Sequence, residues 1–169
     1  IVIGNEGNPK YYQYLFGKYY ENVTDWQMTF NRMQQENDNS QGNYSVWNTV
    51  LSDYQNQLQQ CRYAMLTATL LGKYHSCENF IHDDFYKIDE YDFALGRRAG
   101  MSKLASGMYL GFFEKGLVFI NPTSQTQEFV FTEPMYLFSG TQFQQKNTGK
   151  QVKKVTVTSQ DGIMVKYKK

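Results

Sequence analysis

The sequence predicts an α/β part followed by an all-β part, and three observations carry that prediction. Up to about residue 100, short apolar runs closed by Gly or Asn alternate with helix-like stretches, the rhythm a parallel sheet requires. Beyond it, β-like runs punctuated by Gly take over: "MYLGFF", "GLVFIN", "QEFVF", "MYLF", "VKKVTVT" and "IMVKY". Turn-forming residues, Glu114-Lys115-Gly116 and Asp161-Gly162, sit between such runs, where hairpins close. The expected domains are therefore residues 1–100, α/β, and residues 101–169, an antiparallel β-sandwich.

Taken in order, "IVIGN" reads as a buried strand. Pro9 opens a short helix, "PKYYQYLF", which Gly17 stops, and "KYYEN" is the next strand. In "TDWQMTFNRMQQ", Trp26, Phe30 and Met33 lie near one helical face, with Thr24 or Asp25 as the cap. "ENDNSQGN" is a loop. Trp47, Val50, Leu51, Tyr54 and Leu58 fall at i, i+3, i+4, i+7 and i+11, which predicts an amphipathic helix over 45–60 with Ser45 as N-cap. "CRYAMLTATLLG" follows as a buried helix, and "KYHSCENFIHDDF" as a long loop. In the last run Ile163, Val165 and Tyr167 alternate with Met164, Lys166 and Lys168, which predicts one buried and one wet face.

Composition bounds the chemistry. The chain has 169 residues and a net charge of +1, so nothing in the overall charge calls for nucleic acid or an anionic membrane as partner. No apolar run reaches the ~20 residues of a membrane-spanning helix. Tyr and Phe are abundant, at 14 and 12; such rings fill cores and also make sugar-handling surfaces. The chain opens on Ile1 in a strand-like run, which reads as the later part of a longer protein. Cys61 and Cys77 leave two readings, a pair of buried thiols or a single disulfide in an oxidising compartment. The sequons at Asn22 and Asn43 are glycosylation candidates and favour secretion, whereas Pro122 excludes Asn121. His75 and His82, with Cys77, Asp83 and Asp84, match no zinc spacing, so neither metal nor cofactor is expected.

The order "IVIGN", "GKYYEN", "RYAMLTATLLGKY", "IDEYDFALGRRAG" and "FFEKGLVFINPTSQTQEF" resembles the later part of (β/α)8-barrel glycoside hydrolases with a closing β-sandwich. The resemblance implies a partial (β/α) barrel over 1–100 that lacks its first strands. It implies a secreted protein that acts on or binds a poly- or oligosaccharide, with carbohydrate as partner together with the absent front half or identical subunits. A non-catalytic, glycosylated structural or adhesive subunit of the same descent is the second reading.

Glycoside hydrolysis needs two carboxyl groups flanking the scissile bond. Glu21 closes "KYYE", where a barrel strand delivers catalytic groups. Glu6 follows Asn5, and this Asn-Glu pair resembles the acid/base position of a large clan of retaining glycosidases. Glu90 lies in "IDEYDF". Glu21, Glu90 and Glu6 are thus the catalytic candidates, with Asn5, Tyr20, Tyr91 and Asp92 as substrate-binding candidates. The competing readings are a loop acid for Glu21, a solvated turn for Glu6, and helix caps or partners of Arg97 and Arg98 for the acids of 89–92.

Overall fold

The computed structural model describes residues 3–5, 17–20, 30–31, 44–81, 84–143 and 145–168. The expected helix over 9–16 lies outside them, and of the one over 24–35 only Phe30 and Asn31 are described, both helical. The chain divides into two compact units, Ile1–Tyr86 and Lys87–Lys169.

Among the described residues, the first unit holds four strands, β1 (Ile3–Asn5), β2 (Gly17–Tyr20), β3 (Tyr44–Leu51) and β4 (Tyr74–Asn79), and one long helix, α1 (Tyr54–Leu71). The strands pair in parallel in the order β1-β2-β3-β4. A (β/α) barrel, whole or partial, is not what forms. The sheet is open, with β1 and β4 at its edges, and α1 is the one long helix among the described residues. A ring requires every strand to be paired on both sides. The resemblance to barrel glycoside hydrolases falls with it.

The residues expected as the first half of a helix over 45–60 are β3. Val46, Thr49 and Val50 are β-branched, as strands favour, and Ser45, Trp47, Asn48, Thr49 and Leu51 are all buried. An interior parallel strand is covered on both faces and loses its polar alternation, so its apolar spacing can imitate a helical one. Helix α1 starts only at Tyr54. The Gln57 side chain reaches back to accept the Asp53 N–H (2.9 Å), satisfying one of the donors a helix start leaves open. Its end is set by Gly72 at φ 71°. There Lys73 N–H donates to the Ala68 carbonyl (2.8 Å) and Gly72 N–H to that of Thr69 (3.1 Å), a Schellman closure. Thr67 and Thr69 are tolerated inside the helix because each hydroxyl donates to the carbonyl four residues back. Helix and sheet are joined covalently: Cys61 on α1 and Cys77 on β4 form a disulfide, with Cα atoms 6.1 Å apart, and both residues are buried.

The second unit is one antiparallel sheet of six strands: β5 (Arg98–Lys103), β6 (Tyr109–Phe113), β7 (Gly116–Asn121), β8 (Gln127–Leu137), β9 (Gln151–Val157) and β10 (Asp161–Lys166). Their order is β5-β6-β7-β10-β8-β9. The expected two-sheet sandwich is thus replaced by a single unclosed sheet. Asp161 and Gly162 begin β10 instead of forming a hairpin, because β10 leaves β9 and inserts between β7 and β8. Insertion also removes the wet face expected for the last strand: Ile163, Met164 and Val165 are all buried. Leu117, Phe119, Ile163 and Val165 pack with Leu110, Phe131, Met135, Val155 and Val157 in one core. Each such burial stabilises by about 1.5–3 kcal/mol. The rings of Phe119, Phe129 and Phe131 meet at centroid distances of 4.9–5.8 Å, so these aromatics serve the core. Gly116 is dictated by the close approach of β10: a Cβ there would run into the Val165 carbonyl oxygen and the Lys166 Cα. The β8–β9 ladder shifts register between Val130 and Met135, where Pro134 supplies no N–H. Lys153 and Lys154 lie exposed on edge strand β9.

Asn121, the last residue of β7, is fully buried. Its Nδ2 donates to the carbonyls of Gln125 (2.8 Å), Val157 (2.8 Å) and Thr158 (3.1 Å). Its Oδ1 accepts from the N–H (3.1 Å) and hydroxyl (2.7 Å) of Thr123.

Two outcomes follow. Reduction of the disulfide, or the Cys77→Ser variant, should lower unfolding stability by about 3 kcal/mol for a loop of this length; an unmoved urea midpoint would refute it. Asn121→Leu should destabilise by about 2–4 kcal/mol, because the buried Val157 carbonyl loses its donor and the turn at Thr123–Gln125 loses its anchor. A loss below about 1 kcal/mol would show that another donor serves that carbonyl.

Candidate functional site

Parallel pairing places the ends of β1 and β2 side by side, with Asn5 opposite Tyr19. Glu6, Glu21, Asn22 and Asn43 lie outside the described residues, and Asn5 and Tyr20 are described through their backbone alone.

Glu90, Tyr91 and Asp92 lie in a short 3-10 turn, Asp89–Asp92. Its acids bind the protein itself. Asp89 Oδ2 accepts the N–H groups of Thr141 (2.6 Å) and Gln142 (2.8 Å), and Gln142 Oε1 accepts the Asp89 N–H (2.8 Å). Glu90 is buried, and its Oε1 accepts from Asn147 Nδ2 (3.0 Å). Asp92 pairs with Lys87 in solvent (2.8 Å). Turn 89–92 therefore fastens the segment 139–147. Tyr91 is half-buried.

A polar chain that sequence reasoning missed crosses β3 and β4. Ser76 Oγ donates to Asn48 Oδ1 (2.9 Å), and Asn48 Nδ2 donates to Glu78 Oε1. Ser76 stands opposite Asn48 in the register, so the chain locks these two strands. By alternation it lies on the sheet face opposite Trp47, Thr49 and Cys77. On the Cys77 face, Thr49 Oγ1 meets His75 Nε2 at 2.9 Å. Burial of the His75 ring holds its pKa far below the usual 6.5, at about 3. Reading 45–60 as a helix and 73–85 as a loop concealed this pairing.

The open site is in the antiparallel unit. A hollow of about 500 Å³ is lined by Ala94, Glu114, Lys115, Phe138, Lys166, Tyr167 and Lys168. It lies where the β6–β7 turn meets the end of β10, since Lys166 pairs with Gly116 and Tyr167 N–H donates to the Lys115 carbonyl (3.1 Å). Phe138 stacks on Phe93 (centroids 4.2 Å apart, 12° between planes), and Lys166 Nζ stands 5.3 Å from the Phe138 ring centre. That Lys–Phe contact adds cation–π attraction. Glu114, the one acid of the lining, directs Oε2 to the Arg97 N–H (3.0 Å). Lys115 and Lys168 are exposed, and Tyr167 is 43% exposed.

The surrounding charge has the same sign. Unit Lys87–Lys169 carries twelve Lys and Arg against seven Asp and Glu, a net of +5, whereas Ile1–Tyr86 carries five against nine, a net of −4. The overall +1 hides this division.

Comparison with protein-family models and with curated proteins finds no match. With the open four-stranded sheet, that overturns the glycoside hydrolase reading: among the described residues the ring of strand ends which builds a barrel active site is not formed, and no relative supports glycosidase or other carbohydrate activity. The adhesive subunit of glycosidase descent loses the same foundation.

His75 sets a pH dependence. The folded state keeps it neutral down to about pH 3, whereas the unfolded chain takes up a proton below about pH 6.5. Stability from this group is therefore complete above pH 6.5 and lost as pH falls towards 3, by about 1.4 kcal/mol per pH unit. His75→Gln should remove that slope from the urea-unfolding profile; an identical slope in the variant would refute the assignment.

Proposed function

We propose that the antiparallel unit is a binding module for a short acidic peptide segment bearing an aromatic or large apolar side chain. The observation that supports this is the hollow lined by Lys115, Lys166 and Lys168 together with Phe138 and Tyr167. Its volume of about 500 Å³ falls within the range of small-ligand sites. Three ammonium groups favour carboxylates, and the rings take the apolar part. The unit's net charge of +5 speeds encounter with such a partner.

Magnitudes set the affinity class. Exposed ion pairs contribute about 0.2–1 kcal/mol each, and a buried aromatic side chain about 1.5–3 kcal/mol. Together they amount to at most about 6 kcal/mol before the cost of association, which supports millimolar rather than micromolar binding. The Cys61–Cys77 disulfide supports placing the chain in an oxidising compartment, where the partner would also be found.

Calorimetric titration with a peptide of alternating Asp and Phe tests this. Binding should weaken as salt rises from about 0.05 to about 0.5 M. It should fall about tenfold or more in the Lys166→Glu, Lys168→Glu double variant, where attraction becomes repulsion. Equal binding of the same peptide with Asn in place of Asp would overturn the reading.

A further inference from the structure

We infer that the chain assembles head to tail, with the loop after β4 of one copy entering the Lys115–Lys166–Lys168 hollow of the next. The inference rests on the reading of the hollow given above and names its partner. Three large apolar side chains of that loop stand in solvent: Phe80 at 69%, Ile81 at 71% and Phe85 at 67% exposure. Burying even one of them on association recovers the hydrophobic stabilisation that exposure forfeits. Exposed Asp84 lies among them. The sequence Phe-Ile-His-Asp-Asp-Phe over 80–85 therefore carries the acidic and aromatic groups the hollow would take.

The base of the loop is held in place before any partner arrives. Asn79 N–H donates to the Asp84 carbonyl (3.0 Å), and Tyr86 N–H to that of Cys77 (2.7 Å). Glu78 and Phe85 form an antiparallel bridge, and Cys77 is bonded to Cys61. These bonds fix the residues at the loop's base, which therefore have less conformational freedom to lose on docking. The charges agree as well: the loop belongs to the unit of net −4 and the hollow to the unit of net +5. Donor and acceptor surfaces are different parts of the chain, so each contact uses one of each and every copy offers both.

Sedimentation velocity over a concentration series tests this with two variants of the full chain, a loop variant (Asp84→Lys, Phe85→Ser) and a hollow variant (Lys166→Glu, Lys168→Glu). All four positions lie at the surface or half-buried, and circular dichroism verifies folding. The wild-type mass should rise with concentration and fall back in high salt, and each variant alone should stay monomeric. Their equimolar mixture should give one-to-one dimers and nothing larger, because each variant keeps one intact half of the contact. A synthetic peptide spanning residues 78–86 should bind the loop variant and dissociate wild-type assemblies. A monomeric wild type, or a mixture that stays monomeric, would overturn the inference. If the Asp-Phe peptide still binds the loop variant in that case, the binding module stands and only its partner is wrong. If that peptide fails as well, both fall.

Discussion

The antiparallel unit depends on one amide. Where β7 ends, Asn121 gathers the carbonyls of Gln125, Val157 and Thr158 on its nitrogen and two donors of Thr123 on its oxygen. These groups belong to the turn after β7 and to the passage from β9 to β10. A carbonyl left unpaired inside protein costs more than a made hydrogen bond gains, so the side chain secures the buried end of β9 at Val157 and pins the start of the passage that follows. With the passage fixed, β10 enters between β7 and β8, and its far end delivers Lys166, Tyr167 and Lys168 beside the β6–β7 turn. The cationic hollow is a downstream consequence of an amide at the opposite end of β7.

The parallel unit is fastened by other means. Its sheet is small and open, and its strands are held by side chains that cross between them: Ser76 to Asn48 and Asn48 to Glu78 on one face, Thr49 to His75 on the other. The bond from Cys61 to Cys77 ties helix to sheet. Buried polar groups are tolerated when they satisfy one another, and here they also set the register.

Local chemistry was legible in the sequence, and pairing was not. "IVIGN" contains β1, "KYYEN" overlaps β2, "CRYAMLTATLLG" holds the end of α1 and its stop, and Glu114-Lys115-Gly116 leads from β6 into β7. Each rests on residues adjacent in the chain. Strand β3 was hidden because burial on both faces erased its period of two, leaving Trp47, Val50 and Leu51 at a spacing that also fits a helix. The insertion of β10 was hidden because pairing order is a long-range property that no turn motif encodes. The hollow was missed for the same reason, since Lys115 and Lys166 are neighbours only through the β7–β10 ladder. The acids of 89–92 were visible as a cluster, yet their partners, Thr141, Gln142 and Asn147, come from a segment about fifty residues away.

Edge strand β9 has a further bearing on how the protein behaves in crowded solution. A bare sheet edge is a template for fibril growth. Lys153 and Lys154 stand exposed along this one, and Pro134 already interrupts the ladder on its inner side. A strand added to that edge would have to strip water from two ammonium groups beside a broken ladder. Such residues act as gatekeepers, so this border of a unit rich in Phe, Val and Ile disfavours the addition of a further strand.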